Sequence, residues 1–284
     1  MRNAKPLSNT NRMQSRFQLT LLHKRIRGDI MTTDAKGHLE VSCEETGDTK
    51  IASGLQVLKY VQSRRSIREF TGEKIPDEHI ELILEAARHA PSPENMLMIR
   101  FIVIRDDEDT KKFLADIAQE NALTVFGSAP FELTSGRNWY IQDEFRAAVF
   151  SRLREGELFR YPEKSDTVII VCACPAWHDA TKLYPNELFG SVVAGMATQN
   201  MWMVASAMGY GCGYEALVCS DSRHTQLIRD RIGIPPIWTP LTAFCIGIPI
   251  SARHLGPSRP PLEGLMYDER WGKPYRRLAF RKKE

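Results

Sequence analysis

The stretch Arg64-Arg65-Ser66-Ile67-Arg68 ends a helix-like run, Leu55–Ser63, and places three guanidiniums and a hydroxyl within five residues. That set suits an anionic ligand. Arginine forks match phosphate oxygens bidentately, the serine adds a short donor, and a chain leaving a helix can aim successive side chains at one small target. A solvated basic helix end has the same composition, so the stretch decides nothing alone. Its context does. Downstream, Ala90-Pro91-Ser92-Pro93-Glu94-Asn95 comes directly after an amphipathic pattern and directly before the strand-like Arg100-Phe101-Ile102-Val103-Ile104. Basic cluster, helix, A-P-S-x-x-N turn and strand form one ordered unit.

Outward from that unit, helix and strand signals alternate. Pro76-Asp77 opens a helix in which Ile80, Ile83 or Leu84, Ala87 and Ala90 share a face, and Pro91 stops it. Phe101–Ile104 reads as the first strand, and Asp107–Gln119 as a charged helix burying Phe113, Leu114 and Ile117. Asn121–Lys164 mixes Gly, Pro and aromatics and fits either an active-site excursion or core. A strand at Thr167–Ala173, a long apolar helix at Asn186–Met208, a helix at Asp221–Ile232 closed by Gly233 and a strand at Leu241–Ile248 complete an α+β domain over residues 55–284. Glu187, Gln199 and Asn200 within the long helix argue for a core position and against a membrane span. Residues 1–54 are polar and lack sustained periodicity, which reads as a disordered or loosely attached extension. Its Arg-rich start is compatible with a targeting segment in composition, while Met31 begins a plausible shorter protein without the basic stretch.

The chain has 284 residues, 43% hydrophobic and 26% charged, with a net charge of +3. Seven of its 38 Lys and Arg lie in residues 1–28, which hold no acid; the remaining 31 face 35 acidic side chains, a net of −4. A body of that sign gives no electrostatic case for nucleic-acid binding. Cys172 and Cys174 alternate within the apolar run Val168–Cys174, as buried thiols of a strand do, and the scattered histidines complete no zinc pattern. No metal is expected, and reduced thiols fit a cytoplasmic setting. Gly209-x-Gly211-x-Gly213 follows a helix and opens an extended segment, the reverse of a dinucleotide fingerprint. These glycines are expected to end the helix and to let backbone approach a planar ligand.

Taken in order, the basic cluster, the A-P-S-x-x-N turn, Ala207-Met208-Gly209-Tyr210-Gly211-Cys212-Gly213-Tyr214, Ala243-Phe244-Cys245-Ile246-Gly247-Ile248-Pro249, Arg259-Pro260-Pro261-Leu262-Glu263 and Trp271-Gly272-Lys273-Pro274-Tyr275 resemble the nitroreductase superfamily of FMN-dependent oxidoreductases, which includes iodotyrosine-deiodinase-like and flavin-fragmenting branches. The resemblance covers roughly Leu55 to Tyr275. It implies a mixed or antiparallel central sheet flanked by helices, a long core helix at a homodimer interface and a domain-swapped C-terminal arm. It also implies an FMN site. Arg64, Ser66 and Arg259 would meet the phosphate, with Arg65 beside them. Arg68 would reach the N1/O2 edge of the ring as the catalytic cation, since a fixed positive charge there favours the anionic reduced flavin. Asn95 would bond the pyrimidine edge with Pro91 and Ser92 packed nearby, and Tyr214, Glu215 and Ala216 would line the other side.

Two departures bear on substrate. Where many relatives read Asn-x-Gln-Pro-Trp after the turn, this chain has Asn95-Met96-Leu97-Met98-Ile99, which implies a softer, more apolar pocket edge. Nor does Asn121–Lys164 offer the Glu, Tyr and Lys set of the deiodinase lid, so iodotyrosine is not the expected substrate. The expectation is an NAD(P)H-dependent reductase of a small aromatic or conjugated acceptor, nitroaromatic or quinone-like. It works by a ping-pong mechanism, since no separate nicotinamide site is seen. Flavin fragmentation, oxygen-dependent dehydrogenation and a non-enzymatic flavin-binding role are the alternatives.

Overall fold

The computed structural model describes residues 24–26, 29–33, 39–41, 49–127, 151–153, 155–174, 186–251 and 262–275. Two compact units divide the chain, one of Met1–Lys59 with Pro257–Glu284 and one of Tyr60–Gly256. In the first, β1 (Lys24–Ile26), β2 (Asp29–Thr33) and β3 (Leu39–Val41) form a three-stranded antiparallel sheet, in a region whose sequence marks no strand. Helix α1 (Thr49–Ser63) starts six residues before the run that the sequence marks as helical. Farther on, Leu262–Leu265 forms a 3-10 turn and Tyr267 bridges Pro274.

The larger unit is built on strands β4 (Ile99–Ile104), β5 (Thr167–Ala173), β6 (Gly211–Glu215) and β7 (Thr239–Gly247), in the order β4-β5-β7-β6. Every ladder in it is antiparallel; Ser66 adds a single parallel bridge to Cys212 beyond the β6 edge. Strand β5 is buried along its whole length. The period of two sends Val168, Ile170 and Cys172 to one side of the sheet and Ile169 and Val171 to the other, so the uninterrupted apolar run is what a strand covered on both faces requires.

Helices supply the two covers. On one side α2 (Asp77–Arg88) contributes Ile80, Ile83 and Ala87, and α5 (Asn186–Ala207) contributes Val193, Ala197, Met201 and Trp202. On the other, α3 (Glu108–Gly127) brings Leu114 and Ile117, the short α4 (Tyr161–Lys164) brings Tyr161, and α6 (Ser222–Ile232) brings Ile228. Local chemistry fixes the ends of α6: Asp221 accepts from the His224 backbone N–H at 2.9 Å, and Gly233 closes it at φ +70°. Helix α3 runs eight residues past its sequence-read end, and its Phe113 is only half-buried. Opposite its buried face α5 exposes Ser191, Val192, Gly195 and Gln199. Among the described residues no helix is long and apolar enough to cross a membrane.

Candidate functional site

The segment carrying the arginines lies along the edge of β6 and then crosses onto the end of β7. The Ile67 N–H donates to the Cys212 carbonyl at 2.8 Å, Thr71 donates to Ile248 at 2.9 Å, and Ile250 donates back to Glu69 at 3.2 Å. Three glycines make this seam possible. A Cβ on Gly211 would fall 2.7 Å from Ile67 Cγ2, one on Gly213 2.5 Å from Tyr161 Cε2, and one on Gly247 2.6 Å from Phe70 Cδ1. Gly209, at φ +86°, ends α5 as the sequence indicates. The expectation that Gly211 and Gly213 leave room for a planar ligand needs correcting, because Ile67 and Tyr161 occupy that space.

On this seam the three arginines take different settings. The Arg64 guanidinium lies over the Trp202 indole, 4.2 Å from the ring centroid. Arg65 turns back, its Nη1 donating to the carbonyls of Gln62 and, at 2.9 Å, of Arg64, so it serves the carbonyl end of α1. Ser66 and Arg68 are exposed, and Arg68 stands 5.7 Å from the Tyr161 ring centroid.

Beside them the residues at the end of β6 and just past it alternate in exposure. Tyr214 is 39% exposed and Ala216 is exposed, while Glu215 between them is buried. Burial pushes the Glu215 carboxyl above its ordinary range, against the opposing effects of the Tyr161 hydroxyl, the Leu217 N–H and the Arg68 charge. Its Oε1 accepts from that Leu217 N–H at 2.9 Å, and Asn121 Nδ2 donates to the Leu217 carbonyl at 2.6 Å, which fixes the chain just past β6. The carboxylate is therefore committed inward, and the exposed Glu69 on the seam is paired with Arg152 at 3.2 Å, beside the exposed Ser66 and Arg68.

The Pro91–Asn95 turn is held differently. Pro93–Asn95 forms one 3-10 turn, Ser92 Oγ accepts from the Leu97 N–H at 3.1 Å, and the Ser92 carbonyl accepts from Asn95 at 3.1 Å. Glu94, Asn95 and Leu97 all have left-handed backbones, at φ 53°, 57° and 45°. Asn tolerates this conformation; for Glu and Leu it costs about 1–2 kcal/mol each. Pro91 and Asn95 are exposed and Ser92 is half-buried. Met98 is fully buried, with its carbonyl accepting from Cys174 at 3.0 Å, so of the residues read as a softened pocket edge it belongs to the core, and only Met96 and Leu97 reach the surface. This turn enters β4, whereas the arginines flank β6. Two strands separate these edges, roughly 14 Å at the usual strand spacing. Arg259 lies outside the described residues.

The nitroreductase family model matches residues 61–248, which span the arginine seam, the turn and the whole four-stranded sheet. The chain belongs to the nitroreductase family. It is 25% identical over 214 residues to the FMN reductase [NAD(P)H] of Bacillus subtilis, covering 75% of this chain and 74% of that protein. Its fold is shared with nitroreductase A from Vibrio parahaemolyticus, at a TM-score of 0.54 and 20% identity over 78% of each chain. It is also shared with the NADPH:FMN oxidoreductase of Vibrio harveyi complexed with NAD+, at a TM-score of 0.53 and 19% identity over 78% and 79% of the two chains.

Sequence reading of this nitroreductase-family chain missed three residues that shape the site: Trp202, Tyr161 and Asn121. Trp202 sits in a helix that is apolar almost throughout, so nothing local separates it from ordinary core. Tyr161 and Asn121 fall in the stretch with no periodicity, and their partners, Gly213 and Leu217, are distant in sequence.

Proposed function

We propose that the chain is an FMN-dependent NAD(P)H oxidoreductase, acting as a homodimer by a ping-pong mechanism on a small aromatic or conjugated acceptor of the nitroaromatic or quinone type. One observation carries this reading: Arg64, Ser66 and Arg68 share a single seam with the exposed residues Tyr214 and Ala216, while of the carboxylates there Glu215 is turned into the protein and Glu69 is paired with Arg152. That donor set fits a phosphate and an adjoining polar ring edge. When bound, FMN supplies two-electron redox chemistry between a nicotinamide and an acceptor. Arg64 and Ser66 would hold its phosphate, joined by Arg259. Arg68 would keep a fixed positive charge at the pyrimidine side, and Met96 and Leu97 would limit water at the rim.

The placement of the turn supports the reading of a homodimer. Pro91, Ser92 and Asn95 lie on the opposite sheet edge from the arginines, so a second copy is the simplest means of bringing both groups to one ligand. Two surfaces suit such a partner. One is the exposed stripe of Ser191, Val192, Gly195 and Gln199 on α5. The other is a cleft of about 450 Å³ along the outer edge of β4, lined by apolar residues such as Leu84, Leu97 and Phe101 and by charged Glu81, Glu85, Arg88 and Arg100, where we propose that the partner's C-terminal arm lies. Residues 55–284 would form the functional domain, with 1–54 as an extension.

The test is the visible spectrum. The purified protein should be yellow, release FMN on denaturation, bleach with NAD(P)H and regain colour with a nitroaromatic or quinone. Colourless protein that FMN cannot reconstitute overturns the reading.

A further inference from the structure

Trp202 touches both leading members of the arginine cluster. Its ring lies against the Arg64 guanidinium at 4.2 Å, and its Nε1–H donates to the Arg65 carbonyl at 3.3 Å, so one side chain anchors the side chain of Arg64 and the backbone that leads into Ser66. The indole is itself fixed. It is 8% exposed and meets the fully buried Phe244 edge-on, with centroids 5.6 Å apart and planes at 64°. It projects from α5, five residues before the end of that helix. A guanidinium held over an indole face has its side chain restrained while its N–H donors, which lie in the plane of the fork, keep their capacity for an oxygen ligand.

We propose that Trp202 is a positioning residue that pre-orients the Arg64 guanidinium for the phosphate of FMN; the inference rests on the FMN reading above. Stacking removes most of the freedom of a long side chain before the ligand arrives, and that ordering cost would otherwise be subtracted from affinity. The effect belongs to the phosphate alone. Riboflavin, with the same ring and no phosphate, should be indifferent to it.

Titration of the apoprotein with FMN and with riboflavin gives a ratio of affinities that general damage to the fold would not alter. Trp202→Leu should cut this ratio by up to about tenfold, the ordering cost of one long side chain, while riboflavin affinity stays put. Trp202→Met carries the same expectation and fills more of the indole's volume. Trp202→Phe retains a weaker aromatic face and should cut the ratio only two- to threefold, on the order expected for an exchanged ring. In an Arg64→Ala background none of these substitutions should change the ratio further. An unchanged ratio in the variants, an equal loss of FMN and riboflavin binding, or an effect that persists without Arg64 each overturns the proposal. If only Trp202→Phe folds, its small drop and the disappearance of that drop with Arg64→Ala decide the matter. Wild-type protein that binds riboflavin as tightly as FMN removes the phosphate seat itself, which is a failure of the reading beneath.

Discussion

The arginine seam and the Ser92–Leu97 turn are the two halves of the candidate site, and they are fixed by opposite means. At the seam the backbone is unstrained and contact does the work: Gly211, Gly213 and Gly247 let Ile67, Tyr161 and Phe70 approach to distances no other residue would permit. At the turn the reverse holds, because Glu94, Asn95 and Leu97 adopt left-handed backbones with side chains in place, secured by the Ser92 hydroxyl. One half depends on the absence of side chains, the other tolerates strain to keep them. Substitutions that add a Cβ should therefore harm the first, and substitutions that remove one should help the second.

The largest effect is expected at the seam. Gly213→Ala puts a methyl inside the Tyr161 ring and should lower unfolding free energy by about 3 kcal/mol, the upper range for overpacking, as measured by urea denaturation. A variant within about 0.5 kcal/mol of wild type, the usual span of neutral surface changes, would show that the seam relaxes and is not tight. Next comes ligand affinity on the same seam. Arg64→Ala should weaken FMN binding by about 1.5–3 kcal/mol, the usual worth of charged hydrogen bonds. Arg68→Ala, by contrast, should chiefly slow reduction of bound FMN by NAD(P)H in rapid-mixing experiments, since only an interaction stronger in the transition state raises the rate. Wild-type reduction kinetics in Arg68→Ala would remove it from the pyrimidine edge.

Smaller changes are expected at the turn. Ser92→Ala leaves the Leu97 N–H without its acceptor and should cost about 1–2 kcal/mol of stability. Glu94→Gly should act in the opposite direction to Gly213→Ala, raising stability by about 0.5 kcal/mol as relief of the left-handed backbone outweighs the added entropy of the unfolded chain. A loss on Glu94→Gly would mean that its side chain contributes more than its backbone costs, and the contrast between the halves would fail.

Much of this architecture is written locally. The span of β5, the Asp221 and Gly233 caps of α6 and the extent of α5 follow from apolar periodicity and end chemistry, and all lie within a residue or two of where those signals put them. The site was legible only in part. A cluster such as Arg64–Arg68 announces its charge but not its directions, so Arg65's return to the end of α1 could not be read from composition. The roles of Gly211 and Gly213 depend on Ile67 and Tyr161, partners that lie far away in the chain and carry no mark of the contact. Met98 shows the same limit, since the half-buried Leu97 of the rim is followed directly by a fully buried position and alternation alone does not say which falls where. The strands at Lys24–Val41 are too short to establish a period.

The glycine seam also orders events in time. Ser66–Phe70 finds its place only against Cys212 and against the chain leaving β7, well over a hundred residues later, so it cannot settle until those strands have been made and paired. Closing so long a loop is slow and comes late in folding. Until then the arginines are tethered to the end of a helix with no common direction. Uptake of a phosphate ligand would thus report that this long-range pairing has been made, and a chain lacking it would not compete for the ligand.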